Sequence, residues 1–246
     1  MSFCRATLVM AVFAVFIVPG LAGDKGEHGF VQKVFKGKDG DSRYVVFVPH
    51  DYKGDKEYPL ILFLHGAGER GDDGERQVKQ GIGNAITFKG NDKKSSFFVV
   101  FPQCRAKGTW KADGPDADRA LGILEEVQKT YRIDAKRLYL TGLSLGGYGT
   151  WSLAAAHPDR WAAIAPICGG GDTSTADRIK DIPCWCFHGD ADKAVPVQRS
   201  RDMIEALKKS GGTPRYTELP FVGHNSWDPA YATGELYQWM LAQKRK

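Results

Sequence analysis

Gly142-Leu143-Ser144-Leu145-Gly146 stands between an apolar run, Arg137-Leu138-Tyr139-Leu140-Thr141, and a breaker-free stretch over residues 147–156 that stops at His157-Pro158. The run before it suits a buried parallel strand, and the stretch after it, with Tyr148, Trp151, Leu153 and Ala154, suits a helix. The residue before a proline is disfavoured from helix, which sets the end at His157. Strand, turn and helix follow each other here with no spare residues, so the serine falls at the tip of a sharp bend. Glycines two residues to either side let neighbouring backbone approach without a Cβ clash. The pattern alone recurs by chance in a chain with 29 Gly; the flanking elements give it meaning.

The rest of the chain repeats that alternation. Residues 30–36 and 43–49 read as two strands joined at Lys38-Asp39-Gly40-Asp41, whose Asp-Gly pair favours a hairpin. Further strand-like runs cover residues 60–64, 97–101, 137–140, 162–167, 184–187 and 215–219, with helix-like segments between most of them. One segment has Ala120, Leu121, Leu124 and Val127 at helical spacing, with Asp116 expected as its cap. Another is expected to begin at Pro196, carry Met203, Ile204 and Leu207 on its apolar stripe, and end at Gly211-Gly212 after Lys208 and Lys209. Alternating strands and helices imply a mostly parallel central sheet with helices on both faces. Residues 169–183 are too few for a large helical cap domain, which predicts an open, shallow site.

At 246 residues and 42% hydrophobic, the chain suffices for one α/β domain, expected over residues 24–246. Residues 1–23 read as a signal peptide: Arg5 supplies a positive charge, residues 6–18 are apolar, and small residues follow. That predicts a secreted or periplasmic protein with no stable membrane anchor after cleavage. The net charge of +5 is spread over mixed-sign segments, and no basic stripe alternates with aromatics as a nucleic-acid surface requires. Beyond the leader lie Cys104, Cys168, Cys184 and Cys186; Cys168 and Cys186 end adjacent predicted strands and could pair. Cys184, Cys186 and His188 alternate along one strand, yet no second cluster has zinc spacing, so no metal is expected.

In such sheets the loops after the strand carboxyl ends converge on the site. A serine hydroxyl is a weak nucleophile, and needs a base within reach and a third group to fix that base. Of the six histidines, His224 lies in a loop after the last strand and before the final helix, which makes it the expected base. The acid is expected between serine and histidine in chain order, in His188-Gly189-Asp190-Ala191-Asp192: Asp192 is the first choice, Asp190 and Asp228 the alternatives. Oxyanion donors are expected from the amides of Leu145 and of Ala67 or Gly68. Arg70 and Trp110, on charged loops, are the expected substrate-binding residues; Trp110 could equally be a loop anchor. His65 is read as structural.

Leu64-His65-Gly66-Ala67-Gly68-Glu69-Arg70-Gly71-Asp72-Asp73, Phe101-Pro102-Gln103-Cys104, residues 141–151, Pro166-Ile167-Cys168-Gly169-Gly170-Gly171, residues 188–192 and Gly223-His224-Asn225-Ser226-Trp227 together resemble secreted bacterial α/β-hydrolases. That family is variously described as phospholipase/carboxylesterase, dienelactone-hydrolase-like or predicted peptidase. The resemblance implies the α/β-hydrolase fold, with Ser144 as nucleophile, Asp192 as acid and His224 as base. It departs at Leu145 and Asn225, where relatives often carry Met and Asp. The expected activity is serine-dependent cleavage of a small-molecule or carbohydrate-linked carboxylic ester without a cofactor. A serine peptidase of the same fold and a catalytically silent binding protein are the alternatives.

Overall fold

The computed structural model describes residues 27–245, so the expected leader over residues 1–23 lies outside the described residues. Eight strands form one sheet: β1 (Gly29–Gly37), β2 (Gly40–Val48), β3 (Tyr58–Leu64), β4 (Phe98–Pro102), β5 (Ile133–Leu143), β6 (Ala163–Ile167), β7 (Trp185–Gly189) and β8 (Arg215–Leu219). Their spatial order is β1-β2-β4-β3-β5-β6-β7-β8. The hairpin strands pair antiparallel, as do β2 and β4, and every pairing from β3 to β8 is parallel.

Strands β3, β4, β6 and β7 are buried along their whole length because both faces are covered, and the two-residue period sorts each side chain to one face. Leu60, Leu62, Leu64, Leu138, Leu140 and Cys186 enter one core cluster. Ile61, Phe63, Tyr139, Trp185 and Phe187 enter the other. Against the first pack α2 (Pro115–Thr130), α3 (Leu145–Ala156), α4 (Ala176–Ile179) and α5 (Gln198–Lys209). Against the second pack α1 (Ile82–Thr87), α6 (Trp227–Ala232) and α7 (Gly234–Leu241). Between β6 and β7 the chain inserts only a short 3-10 turn and the four-residue α4, so there is no cap domain.

Three expectations need correction. Helix α2 starts one step earlier than its supposed cap, with Gly114 at the N-cap and Pro115 in the first turn. Asp116 is instead buried, accepting from the Arg105 N–H and pairing with Arg119. Helix α5 begins at Gln198, and Pro196 precedes its Val197 cap, so the proline directs the entry rather than occupying the first turn. The four described cysteines are free and buried. Cys168 and Cys186 do not pair because they face opposite sides of the sheet: Cys168 follows the end of β6 with φ of 40° and turns into the second cluster. No helix among the described residues is long and apolar enough to cross a membrane.

Candidate active site

The bend after β5 holds Ser144 at φ 52° and ψ −113°, a strained conformation for a residue with a side chain. Packing holds it there. A Cβ on Gly146 would overlap the Leu64 carbonyl, and one on Gly142 would overlap both the Gly146 and the Leu64 carbonyls. The end of β3 and the start of α3 can meet only through these glycines. The Ser144 N–H donates to the Ile167 carbonyl at 3.0 Å and its own carbonyl accepts from Tyr148 at 3.0 Å, which leaves the hydroxyl at a partly exposed tip.

That hydroxyl lies 2.9 Å from His224 Nε2, and His224 Nδ1 lies 2.7 Å from Asp192 Oδ2. With a carboxylate facing Nδ1, that nitrogen carries the proton, so Nε2 is free to accept from the serine. The Asp192 side chain is fully buried. Burial alone would raise its carboxyl, but the bond from His224 and the Val195 and Ala194 N–H groups hold it below the usual carboxylate range. The other two carboxylates have different work. Asp190 accepts the Phe221 N–H at 2.7 Å and braces the turn before His224, while Asp228 accepts from the Asn225 amide.

The loop after β3 is built around His65. Its Nδ1–H donates to the Gly66 carbonyl at 2.6 Å and its Nε2 accepts the Cys104 N–H at 2.9 Å. Burial pushes this imidazole down to about 4, so it is a neutral clamp between two strand ends. Gln103 adds a second clamp, donating to the Glu69 carbonyl and to Asp73 and accepting the Gly74 N–H. Between them Ala67 is exposed. Its N–H and that of Leu145 have no hydrogen-bond partner among the described residues.

Trp110 is buried rather than on the rim, and it is among the residues that line a groove along α3. It is 1% exposed, donates its indole N–H to the His65 carbonyl at 3.0 Å and stacks edge-on against the His65 ring, with its Cβ against Gly149 of α3. The polar residues around it in sequence gave it an exposed look; its ring fills the space between the β3 loop and α3. Trp110→Ala is expected to destabilise the fold by about 3–5 kcal/mol, as read by denaturant unfolding. Unchanged stability with a raised KM would instead restore the substrate role. Arg70 is half-buried on the same loop, near His65 and Cys104, and its Nε has no partner among the described residues.

This groove of about 660 Å³ follows α3, from Leu145 and Tyr148 to Ala156, between the loop carrying Lys111 and the segment from Gly170 to Arg178 of α4; it starts one residue past the serine, and Ser144, Asp192 and His224 do not line it. Sequence reasoning missed this groove because its wall is one stripe of α3 facing two loops distant in the chain. It also passed over His188 as a strand-end residue.

A family model described as the prolyl oligopeptidase family matches residues 107–186, a span that includes Ser144 and ends before Asp192 and His224. The crystal structure of a thermostable esterase superposes with a TM-score of 0.81 at 37% identity, over 88% of this chain and 63% of that one. The chain has the α/β-hydrolase fold. Among characterised sequences, the chain is 26% identical over 74% of its length to the bifunctional acetylxylan esterase/xylanase XynS20E of Neocallimastix patriciarum, spanning 26% of that protein. It is 27% identical over 69% of its length to feruloyl esterase D of Neurospora crassa, spanning 60% of it. The chain thus spans less than two thirds of each of these three relatives.

Proposed function

We propose that this α/β hydrolase cleaves carboxylic esters by two-step acyl transfer through Ser144, His224 and Asp192. The observation that carries the reading is the unbroken hydrogen-bonded chain from the partly exposed Ser144 hydroxyl through His224 to the buried Asp192. Ser144 attacks the ester carbonyl while His224 Nε2 takes its proton, and the proton is then returned to the leaving alcohol. Water repeats the sequence on the acyl-enzyme and releases the acid. Asp192 keeps Nδ1 protonated and stabilises the imidazolium. The unpartnered Leu145 and Ala67 amides are the donors we assign to the tetrahedral oxyanion, an effect of about 3 kcal/mol per donor.

Two of the relatives act, by their names, on feruloyl and acetylxylan esters. That suits a carbohydrate-linked ester here, with the groove along α3 running away from Leu145, next to the nucleophile in the chain, and lined by the charged Lys111 and Arg178. We further read residues 1–23 as an export leader, so that the enzyme meets its substrate outside the cytoplasm. N-terminal sequencing of the mature protein checks this. The prolyl oligopeptidase match supports a second reading, a serine peptidase.

The test is a panel of chromogenic acetyl, longer acyl and feruloyl esters beside matched anilides, run with wild type and Ser144→Ala. Serine-dependent cleavage of esters well above anilides is expected. Preference for the anilides would move the reading to a peptidase, and a folded protein inert to both series would overturn it.

A further inference from the structure

One buried titratable side chain outside these three residues lies directly against them. His188, at the end of β7, is fully buried, and both its ring nitrogens are engaged. Nε2 is 3.1 Å from Asp192 Oδ2 and 3.0 Å from the Val195 carbonyl. Both partners are acceptors only, so Nε2 carries the proton. Nδ1 is 2.7 Å from Ser200 Oγ on α5, which also lies 3.0 Å from the Gly169 carbonyl and 3.4 Å from the Cys186 thiol. Ser200 has one proton and two acceptors to choose from. Burial lowers the His188 imidazole despite the Val195 carbonyl and the Asp192 carboxylate, so the ring is neutral and Nδ1 is an acceptor facing the Ser200 hydroxyl, whose proton it shares with the Gly169 carbonyl. The tautomer is thereby locked with its donor aimed at Asp192.

Asp192 then receives four N–H groups. Oδ1 takes those of Ala194 and Val195, and Oδ2 takes those of His224 and His188. A carboxylate offers about four lone-pair sites, so every one is used. The oxygen that faces the general base is shared between two imidazoles. A second donor on that oxygen fixes its position and draws charge away from the bond to His224.

We propose that His188 is a positioning residue for proton transfer: it holds Asp192 Oδ2 in register with His224 and limits how strongly that oxygen stabilises the His224 imidazolium. The inference rests on the triad reading above. The titratable groups facing His188 are Asp192 and His224 from the loops after β7 and β8, Glu218 on β8, and Cys186 through Ser200. Glu218 is held ionised by Arg201 and Tyr216, and burial pushes the Cys186 thiol up to about 12, so neither changes charge near neutral pH.

The test compares wild type, His188→Leu and His188→Gln by two readouts: the pH dependence of kcat/KM on a chromogenic ester, and the downfield NMR resonance of the His224 Nδ1 proton. In His188→Leu, Oδ2 has lost its second donor and accepts harder from His224. The acidic limb, and the pH midpoint of the resonance, are expected to rise by about half to one unit, the resonance to move further downfield, and kcat to fall with KM held. Gln carries an N–H near the Nε2 position and is expected to restore both readouts. Equal activity losses in both variants with limb and resonance unmoved would reduce His188 to scaffold and overturn the proposal. If His188→Leu does not fold, Ser200→Ala unlocks the tautomer and is expected to shift the resonance in the same direction, and no shift overturns the proposal. The NMR arm needs no substrate. A wild-type protein inert to every ester would therefore bring down the functional reading while the coupling of His188 to His224 is still measured.

Discussion

Ser144→Ala is expected to lower kcat for ester hydrolysis on the order of 10⁵- to 10⁶-fold while leaving the fold intact. The loss is this large because no other hydroxyl or thiol can replace the serine oxygen: His224 Nε2 has Ser144 as its only hydrogen-bond partner among the described residues, and Cys168 behind the bend is buried with its thiol pushed up to about 12 by that burial. The fold is spared because the strained turn is held by backbone packing of Gly142 and Gly146 against the end of β3, which does not involve the serine side chain. Alanine at φ 52° is no worse placed than serine. Matching unfolding curves alongside lost turnover are the check. Near-wild-type turnover in a folded variant would remove Ser144 from the mechanism.

Asp192→Asn is expected to lower kcat by on the order of 10⁴-fold, for a reason specific to the four donors around this side chain. Asparagine has one acceptor oxygen, and the Ala194 and Val195 N–H groups, fixed by the loop, claim it. Its NH₂ must then take the Oδ2 position and point at His224 Nδ1 and His188 Nε2. Both rings would have to give up the proton they now hold there. For His224 that puts the remaining proton on Nε2, facing the Ser144 hydroxyl, the wrong tautomer for a base. The rate is expected to recover partly at alkaline pH, where hydroxide from solution can take the serine proton, and a pH-rate profile reads this directly. A variant within tenfold of wild type at neutral pH would place the acid elsewhere.

Much of this was legible in the chain because the fold writes itself in two periods. The eight strand-like runs become the eight strands, since a parallel sheet covered on both faces needs continuous apolar segments, and the bend after β5 is encoded by glycines that nothing else could replace. The boundaries that went astray did so where polar residues serve backbone geometry. Strand β5 begins at Ile133, four residues before its apolar run, because Asp134 accepts the Lys136 N–H and pairs with Arg137, an arrangement that reads as loop. Asp116 resembles a cap by type, yet its partner Arg119 draws it into the interior.

The site divides the same way. Ser144, Asp192 and His224 could be found because strand-end loops must converge, and the structure brings those three within hydrogen-bond distance of one another in sequence. The two readings of Trp110 could not be separated, since the space it fills is made by the β3 loop and α3, neither adjacent to it in the chain. His188 carried a faint signal, a histidine four residues before the acid on one strand exit. Its meaning depends on Ser200, twelve residues further along on α5, and that contact is tertiary.

The most direct measurement is intact-protein mass after brief exposure to a small organophosphorus fluoride, followed by peptide mapping, for wild type and His224→Ala. One adduct per chain on the peptide carrying Ser144, formed rapidly in wild type and at least a hundredfold more slowly in His224→Ala, is the predicted result. No adduct, an adduct on another residue, or equal labelling of both proteins would contradict Ser144 activated by His224.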